Sequence, residues 1–455
     1  MSDADLAYAS IGELGGKLRD RSLTSERLVE IYLERIGRIG PKLNAFITVT
    51  AEVARAEAKR ADGELAAGRD RGPLHGIPYA AKDLVDTASI PTTWGCKATV
   101  GRVPTHDAAI VTRLREAGAV LLGKLSMTEL ANALGNNKQS TNHNGPCRNP
   151  WNLERWAGGS SSGSGAATAA GLCAFAIGSE TWGSIDCPAS YCGVTGYRPT
   201  FGIVSRDGAL LICPTLDKLG PLARSAADTA LVAGAIANQP LAKLGAPLRI
   251  GLAALPGGRT PAGYQATMVR AVEALSAAGA IIEPVALPKL PVEMTTLVIL
   301  LGEVYGALAP LIHSGAVHDL YDEEPWEKKW RTYESHGMRA DDYVKASYVR
   351  AVAQREYDAL FARHDVLLCG GRPFEADVID DRDTDVGDLG GWAVLQPAGN
   401  LIGAPGITLP AGLSDNGLPL SVHAMAAPYE DVRLFELGAM LQARTDHHTK
   451  RPPVE

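Results

Sequence analysis

The spacing of apolar residues predicts an amphipathic helix near the start of the chain. Four apolar positions follow the i, i+3, i+4, i+7 spacing that places side chains on one face of a helix. They are Val29, Tyr32, Leu33 and Ile36. Thr24 and Ser25 precede them and can cap the first turn. An Ala-rich stretch at about residues 51–67 predicts a second helix.

Farther along, short apolar runs alternate with helical patterns. The predicted strands are 76–84, 119–125, 172–178, 248–255, 280–287, 365–371 and 404–413. The predicted helices between and after them are 108–118, 266–278 and 430–445. Such alternation is typical of an α/β fold. We therefore predict a mixed, mostly parallel, twisted central sheet with helices on both faces.

We expect one large domain over residues 1–455. Its predicted parts are an N-terminal helical segment, a core, a variable helical pocket wall and C-terminal core strands with a helix. They cover residues 1–70, 71–235, about 288–365 and 390–455. The pocket wall is predicted because that region is richer in Trp, Tyr and charge.

Composition narrows the range of functions. Hydrophobic residues make up 46% and charged residues 21%, with a formal net charge of -7 and no Lys/Arg-rich run, which argues against a nucleic-acid surface. No run of 18 apolar residues suggests a membrane span, and the N-terminus lacks the basic and apolar regions of a signal peptide. The seven cysteines form no CxxC pair and are expected to be buried free thiols. We expect a cytoplasmic protein.

A glycine-serine run, GGSSSGSG at residues 158–165, does not fit the role of a linker. It lies between NPWNLERWA and the apolar AATAAGLCAFAIG, without a polar flank. It lacks the Gly-Lys-Ser/Thr ending of a phosphate-binding loop. A nucleophile elbow around Ser161 would need a buried strand just before it, where the sequence indicates a loop. The remaining interpretation is tight backbone that presents a serine and N–H groups at the start of a buried helix.

A second unusual loop follows the apolar strand LCAFAIG. In SETWGS, Gly183 permits a sharp turn just before Ser184, and successive N–H groups there can form an oxyanion pocket. A reactive serine needs a base. His423 lies in an apolar strand and is interpreted as a core residue. Lys82 ends a strand, where desolvation could lower its pKa, although it could also be a surface lysine paired with Asp83 or Asp86.

Five ordered segments carry a resemblance to a known family. They are GIPYAAKDL, PCRNPWNLERWAGGSSSGSGAATAAG, GSETWGSIDCPASYCGVTGYRPTFGIVSRDG, TLDKLGPLARSAADTALV and NLIGAPGITLPAGLSDNGLPLSVHAM. In this order the chain resembles the amidase signature family over nearly its whole length. The similarity is weakest from about Pro240 to Asp385.

The resemblance implies a Ser–cis-Ser–Lys triad and no metal or organic cofactor. Ser184 would be the nucleophile, Ser160 the bridging serine beside a cis peptide bond, and Lys82 the base. The oxyanion hole is implied to consist of four backbone N–H groups, those of Thr181, Trp182, Gly183 and Ser184.

The chain departs from the family at two positions of this loop. The family usually has Gly at position 182 and Arg at position 186, where this chain has Trp182 and Asp186. Glu180 and Asp186 would repel each other unless one is protonated or another cation serves them. Either the loop is braced differently, or Asp186 points elsewhere. Trp182 either packs behind the loop or lines the substrate pocket, and both residues are candidates for the pocket.

The resulting prediction is a hydrolase that cleaves the C–N bond of small or aryl amides through an acyl-enzyme on Ser184. Carbamate (urethane) cleavage by the same triad is the first alternative. The second is the glutaminase subunit of the tRNA-dependent amidotransferase, disfavoured by the departures in the loop and by a chain that ends near RPPVE without an obvious docking extension. We expect a small-molecule substrate, no nucleic-acid or membrane partner, and a monomer or homodimer.

Overall fold

The computed structural model describes residues 1–133, 142–237, 247–254, 260–261, 263–320, 337–379 and 394–454. Its strands are β1 (Phe46–Val49), β2 (Pro78–Lys82), β3 (Val120–Leu125), β4 (Arg148–Asn149), β5 (Asn152–Trp156), β6 (Phe175–Glu180), β7 (Thr195–Arg198), β8 (Lys218–Ala223), β9 (Arg249–Ala253), β10 (Ile281–Val285), β11 (Val366–Gly370), β12 (Gly406–Leu413) and β13 (Pro419–Ala426). Its α-helices are α1 (Asp3–Ala7), α2 (Ile11–Arg19), α3 (Ser25–Leu43), α4 (Ala51–Ala66), α5 (Ala109–Glu116), α6 (Ser162–Ala169), α7 (Asp186–Cys192), α8 (Ala226–Ile236), α9 (Tyr264–Ala277), α10 (Val292–Ala307), α11 (Ala309–His313), α12 (Ala340–Phe361), α13 (Gln396–Ile402) and α14 (Val432–Gln442).

Within the described residues, an 11-stranded sheet runs through the molecule in the order β1-β3-β2-β6-β8-β7-β12-β13-β11-β9-β10. The predicted class, one large α/β domain with a mixed central sheet, is confirmed, and four of the ten described pairings within this sheet are parallel and six antiparallel. Parallel pairing joins β3, β2 and β6 on one side and β11, β9 and β10 on the other. The strands between these groups pair antiparallel. The alternation of strands and helices in the sequence does not reveal the antiparallel strands at the middle of the sheet. Two of these strands, β7 and β8, were not predicted.

Helices cover both faces of the sheet because successive side chains on a strand point to opposite faces. On β11, Val366 and Leu368 belong to an apolar cluster with α8, α9 and α14, whereas Leu367 and Cys369 belong to the larger cluster on the other face. Both faces of the central strands are thereby buried, which explains their nearly continuous apolar sequences.

The predicted pocket wall at about 288–365 is helical where it is described, as α10, α11 and α12. Residues 321–336 of that region lie outside the described residues. All seven cysteines are free and buried, as expected from their spacing. In the described part of the chain, no helix has the length and apolar character needed to cross a bilayer.

Close approach of two strands generates a prediction at Gly220 of β8. A Cβ atom there would lie 2.1 Å from the backbone oxygen of Tyr197. Gly220→Ala should therefore lower the free energy of unfolding by about 1–3 kcal/mol or more, because the strands must separate. Urea denaturation measures this change.

Gly234→Ala is the matched control. Gly234 lies on the exposed face of α8, with nothing within 4 Å of its added Cβ. This substitution should raise stability by roughly 0.5–1 kcal/mol through helix propensity. Equal effects of the two substitutions would contradict the packing argument.

Candidate active site

Two neighbouring parallel strands bring the predicted site residues to the same edge of the sheet. Lys82 is the last residue of β2, which pairs in parallel with both β3 and β6. Ser184 lies in the loop between β6 and α7. Since parallel strands end at the same edge, the Lys82 side chain and the Ser184 loop face each other.

Three side chains form a continuous hydrogen-bonded chain at this edge. The Lys82 Nζ atom lies 2.7 Å from the Ser160 Oγ atom, which lies 2.9 Å from the Ser184 Oγ atom. Lys82 Nζ also donates to Ser179 Oγ at 2.9 Å. The structure therefore brings together Lys82, Ser160 and Ser184, and it adds Ser179, which the sequence did not single out.

Burial sets the protonation of Lys82. The side chain is fully buried, and loss of hydration lowers the pKa of its ammonium group to about 7, although the negative charges of Asp217 and Glu180 partly oppose this shift. A substantial fraction of the amine is then neutral near pH 7 and able to accept a proton. The alternative of a surface lysine paired with Asp83 or Asp86 is wrong, because Lys82 is buried and Asp86 pairs with Arg102.

The glycine-serine run is a buried structural segment. The peptide bond between Gly159 and Ser160 is cis, and α6 begins at Ser162. A Cβ on Gly163 would lie 2.3 Å from the backbone oxygen of Ala45, so only glycine allows this approach. Ser161, the candidate elbow serine, bonds to the backbone of Ser179 instead. The run thus fits the third interpretation, tight backbone at the start of a buried helix.

Glu180 braces the loop that carries Ser184. Its Oε2 atom accepts hydrogen bonds from the backbone N–H groups of Ile185 and Asp186, at 2.8 and 2.9 Å. Its Oε1 atom accepts from the Arg198 guanidinium and from the Asn400 amide, each at 2.9 Å. Burial disfavours the charged carboxylate, but Arg198 and these donors outweigh it and lower the pKa of Glu180 to about 2.

Asp186 points away from this brace. Its Oδ1 atom accepts a short hydrogen bond from Thr408 Oγ1 and lies 3.1 Å from His423 Nδ1. Repulsion between Glu180 and Asp186 is avoided in two ways. Arg198 forms an ion pair with Glu180, and Asp186 points toward β12 and β13. His423 is a buried residue of β13 at this contact, consistent with its interpretation as a core histidine.

The loop between β6 and α7 has the shape of a sharp turn. Gly183 has a φ of 93°, a left-handed conformation that favours glycine. The Thr181 hydroxyl donates to Asp217, whose other oxygen accepts from the N–H groups of Ile212 and Cys213. Burial raises the pKa of Asp217 to about 6. The turn is thus anchored at Thr181 and again at Glu180.

A cavity of about 70 Å³ opens onto the two serines. Ser160 and Ser184 lie on its wall, together with Trp182. Further lining comes from Trp156 and Cys187, which are close to the two serines in sequence, and from Ile212, Leu300 and Arg372, which lie farther along the chain. Trp182 therefore lines the cavity while remaining largely buried. Asp186 does not belong to the described lining.

Sequence reasoning missed the residues that act through long-range contacts. Arg198, Asn400 and Asp217 lie within segments that carry the family resemblance, but no local pattern shows what they touch. Arg372 follows β11 in the region of weakest resemblance, and the sequence contains no signal for its position.

A lysine hydrogen-bonded through one serine to a second is the arrangement found in serine hydrolases that have a lysine in place of histidine. The Amidase family model matches residues 27–435, and the chain therefore belongs to the amidase signature family.

Curated relatives extend along nearly the whole chain. A glutamyl-tRNA(Gln) amidotransferase subunit from Carboxydothermus hydrogenoformans is 31% identical, covering 99% of this chain and 100% of the relative. A protein of the same name from Anaeromyxobacter dehalogenans (strain 2CP-C) is 34% identical, covering 96% of each. Among solved structures, the native peptide amidase from Stenotrophomonas maltophilia has a TM-score of 0.83, 32% identity and 98% coverage of both chains.

The lowered pKa of Lys82 predicts the pH dependence of activity. A base is active when deprotonated, so kcat/KM should rise with pH and level off above about 7. Asp217→Asn removes a negative charge that favours the protonated amine, and should move this acid limb to lower pH. A pH–rate profile of kcat/KM measures the shift.

Asp228→Asn is the control for the loss of a buried carboxylate. The pKa of Asp228 is also raised by burial, to about 6, but its Oδ1 atom accepts from the N–H of Ile11 on α2. This variant should leave the acid limb in place. An unmoved limb in Asp217→Asn, or a limb displaced to higher pH, would show that Lys82 is not the titrating base.

Proposed function

We propose that this protein hydrolyses small amides through an acyl-enzyme on Ser184, with Ser160 and Lys82 as its proton relay. The observation that carries the proposal is the unbroken contact from a buried, largely desolvated lysine through Ser160 to a serine on a cavity wall. Family membership supports an enzyme that acts on C–N bonds.

The relay operates through two hydroxyl groups that can rotate. Neutral Lys82 accepts the proton of Ser160 as Ser160 accepts that of Ser184, and Ser184 Oγ attacks the substrate carbonyl carbon. When the tetrahedral intermediate collapses, the relay returns a proton to the leaving nitrogen and the C–N bond breaks. Water then attacks the acyl carbon as its proton passes through Ser160 to Lys82, and the relay returns a proton to Ser184 Oγ as the C–O bond breaks and the acid is freed.

The turn before Ser184 suits an oxyanion hole made of the N–H groups of residues 181–184. Such donors stabilise the negative charge that develops on the carbonyl oxygen, and removing one typically costs about 100- to 1000-fold in kcat. The anchors at Thr181 and Glu180 hold these groups before substrate arrives, so no reorganisation is needed during the reaction.

The cavity supports a small acyl group. Its volume of about 70 Å³ is several times the ~10–15 Å³ that one water needs, which is room for a compact acyl group. Trp156 and Trp182 supply aromatic surface, and carbamates or esters with a compact acyl part remain compatible with the same relay. Turnover across amide, anilide, ester and carbamate substrates of one acyl shape ranks these possibilities.

Removing the nucleophile tests the proposal. Ser184→Ala should lower kcat for a small primary amide by on the order of 10⁶-fold, as in other serine hydrolases, with release of ammonia as the measure. A fluorophosphonate probe should label the wild type but not this variant. Ser164→Ala is the matched control, since Ser164 is a buried serine of α6 that bonds to the backbone of Ile177. Equal labelling of Ser184→Ala and wild type would refute the assignment.

A second candidate function is that of the glutaminase component of an amidotransferase. The observation in its favour is the name shared by curated relatives at 31–34% identity over nearly the whole chain. Against it stands Asp186, where the family usually has Arg. The purified chain should hydrolyse simple amides alone; an enzyme that is inert on amides, esters and carbamates, but releases ammonia from glutamine with a partner protein, would favour the second candidate.

A further inference from the structure

Arg372 gives the cavity a permanent positive charge. Among the described residues that line the cavity, it is the one with a formal charge at neutral pH. Ser160 and Ser184 line the same cavity, so the guanidinium and the reacting hydroxyls share one small chamber. A substrate bound there would meet both.

The backbone just before Arg372 is tightly positioned. The N–H of Gly371 donates to the backbone oxygen of Ser421 at 2.8 Å, and the Tyr264 hydroxyl donates to the Gly371 oxygen at 2.7 Å. A Cβ on Gly371 would lie 1.9 Å from Ser421 Oγ, which leaves no room for another residue type. Arg372 therefore extends from a rigid support, as a binding group requires.

The guanidinium is held over an aromatic ring. Its Cζ atom lies 5.3 Å from the centroid of the Tyr191 ring, and the charges of Asp186 and Asp377 act on it. The Tyr191 hydroxyl donates to Asp377. A guanidinium carries five N–H donors in a planar fork, so it can interact with protein groups on one edge and with a ligand on another.

We propose that Arg372 binds a carboxylate on the acyl part of the substrate, so that small monoamides of dicarboxylic acids are preferred. The inference rests on the proposed function, because it names the substrate class of the same cavity. Arg–carboxylate pairs are often bidentate and charge-assisted, which provides orientation as well as affinity. In a cavity of about 70 Å³, one such contact aligns the scissile carbonyl with Ser184.

Succinamate and its methyl ester form a suitable substrate pair, because they differ mainly in the charge of one end. For the wild type, kcat/KM for amide cleavage, measured by release of ammonia, should be higher for succinamate, by about 10-fold or more. Arg372→Gln should lower kcat/KM for succinamate by roughly 10- to 100-fold and change that for the methyl ester little. Arg372→Lys should keep part of the preference, since it keeps the charge but not the fork.

Arg155→Gln is the matched control. Arg155 bonds to the backbone oxygen of Ala376, close in sequence to Arg372, but is outside the described cavity lining. It should leave the ratio of the two kcat/KM values unchanged. Equal losses on both substrates in Arg372→Gln would mean a structural role and overturn the inference, as would a wild-type preference for the ester.

Binding separates this inference from the proposed function. Calorimetric titration of the Ser184→Ala protein with succinamate should show binding that Arg372→Gln weakens on the order of 10-fold or more. Binding without turnover in the wild type would sustain the carboxylate site and defeat the hydrolase. Turnover of neutral amides without Arg372-dependent binding of succinamate would support the hydrolase and overturn the carboxylate site.

Discussion

The withdrawal of one lysine from water is the constraint on which this site depends. Lys82 ends a strand that has a parallel neighbour on each side, and its side chain has no exposure to solvent. Full burial of an ammonium group is unfavourable, so the neutral amine becomes accessible near neutral pH. Asp217 and Glu180 moderate the shift, and the hydroxyls of Ser160 and Ser179 satisfy the amine. This balance holds the pKa of Lys82 at about 7, so its charged and neutral forms coexist near neutral pH.

A second buried charge organises the loop that presents Ser184. Glu180 remains ionised because Arg198 and Asn400 bind one carboxylate oxygen while two backbone N–H groups bind the other. The brace therefore needs no side chain from position 186. That independence explains how Asp186 can replace the usual arginine and instead contact Thr408 and His423.

The residues around the cavity come from different parts of the chain. The hydrogen-bonded Lys82, Ser160 and Ser184 lie on β2, on the segment before α6 and on the loop after β6, where the resemblance to the family is strong. Leu300 of α10 and Arg372 after β11 complete the cavity from the region where that resemblance is weakest. The cavity therefore combines segments of strong and of weak resemblance to the family.

The sequence by itself determined the α/β class and many of the strands, and it singled out Lys82, Ser160 and Ser184, which the structure brings into contact, because apolar periodicity and ordered motifs are local properties. It could not determine that β7 and β8 complete an antiparallel centre, since strand order depends on long-range pairing. It left open whether Lys82 was buried, where Trp182 pointed and what served Glu180. Those answers required the tertiary structure. The burial of Lys82, the hydrogen bonds from Arg198 and Asn400 to Glu180 and the walls of the cavity all depend on residues that are far apart in the chain.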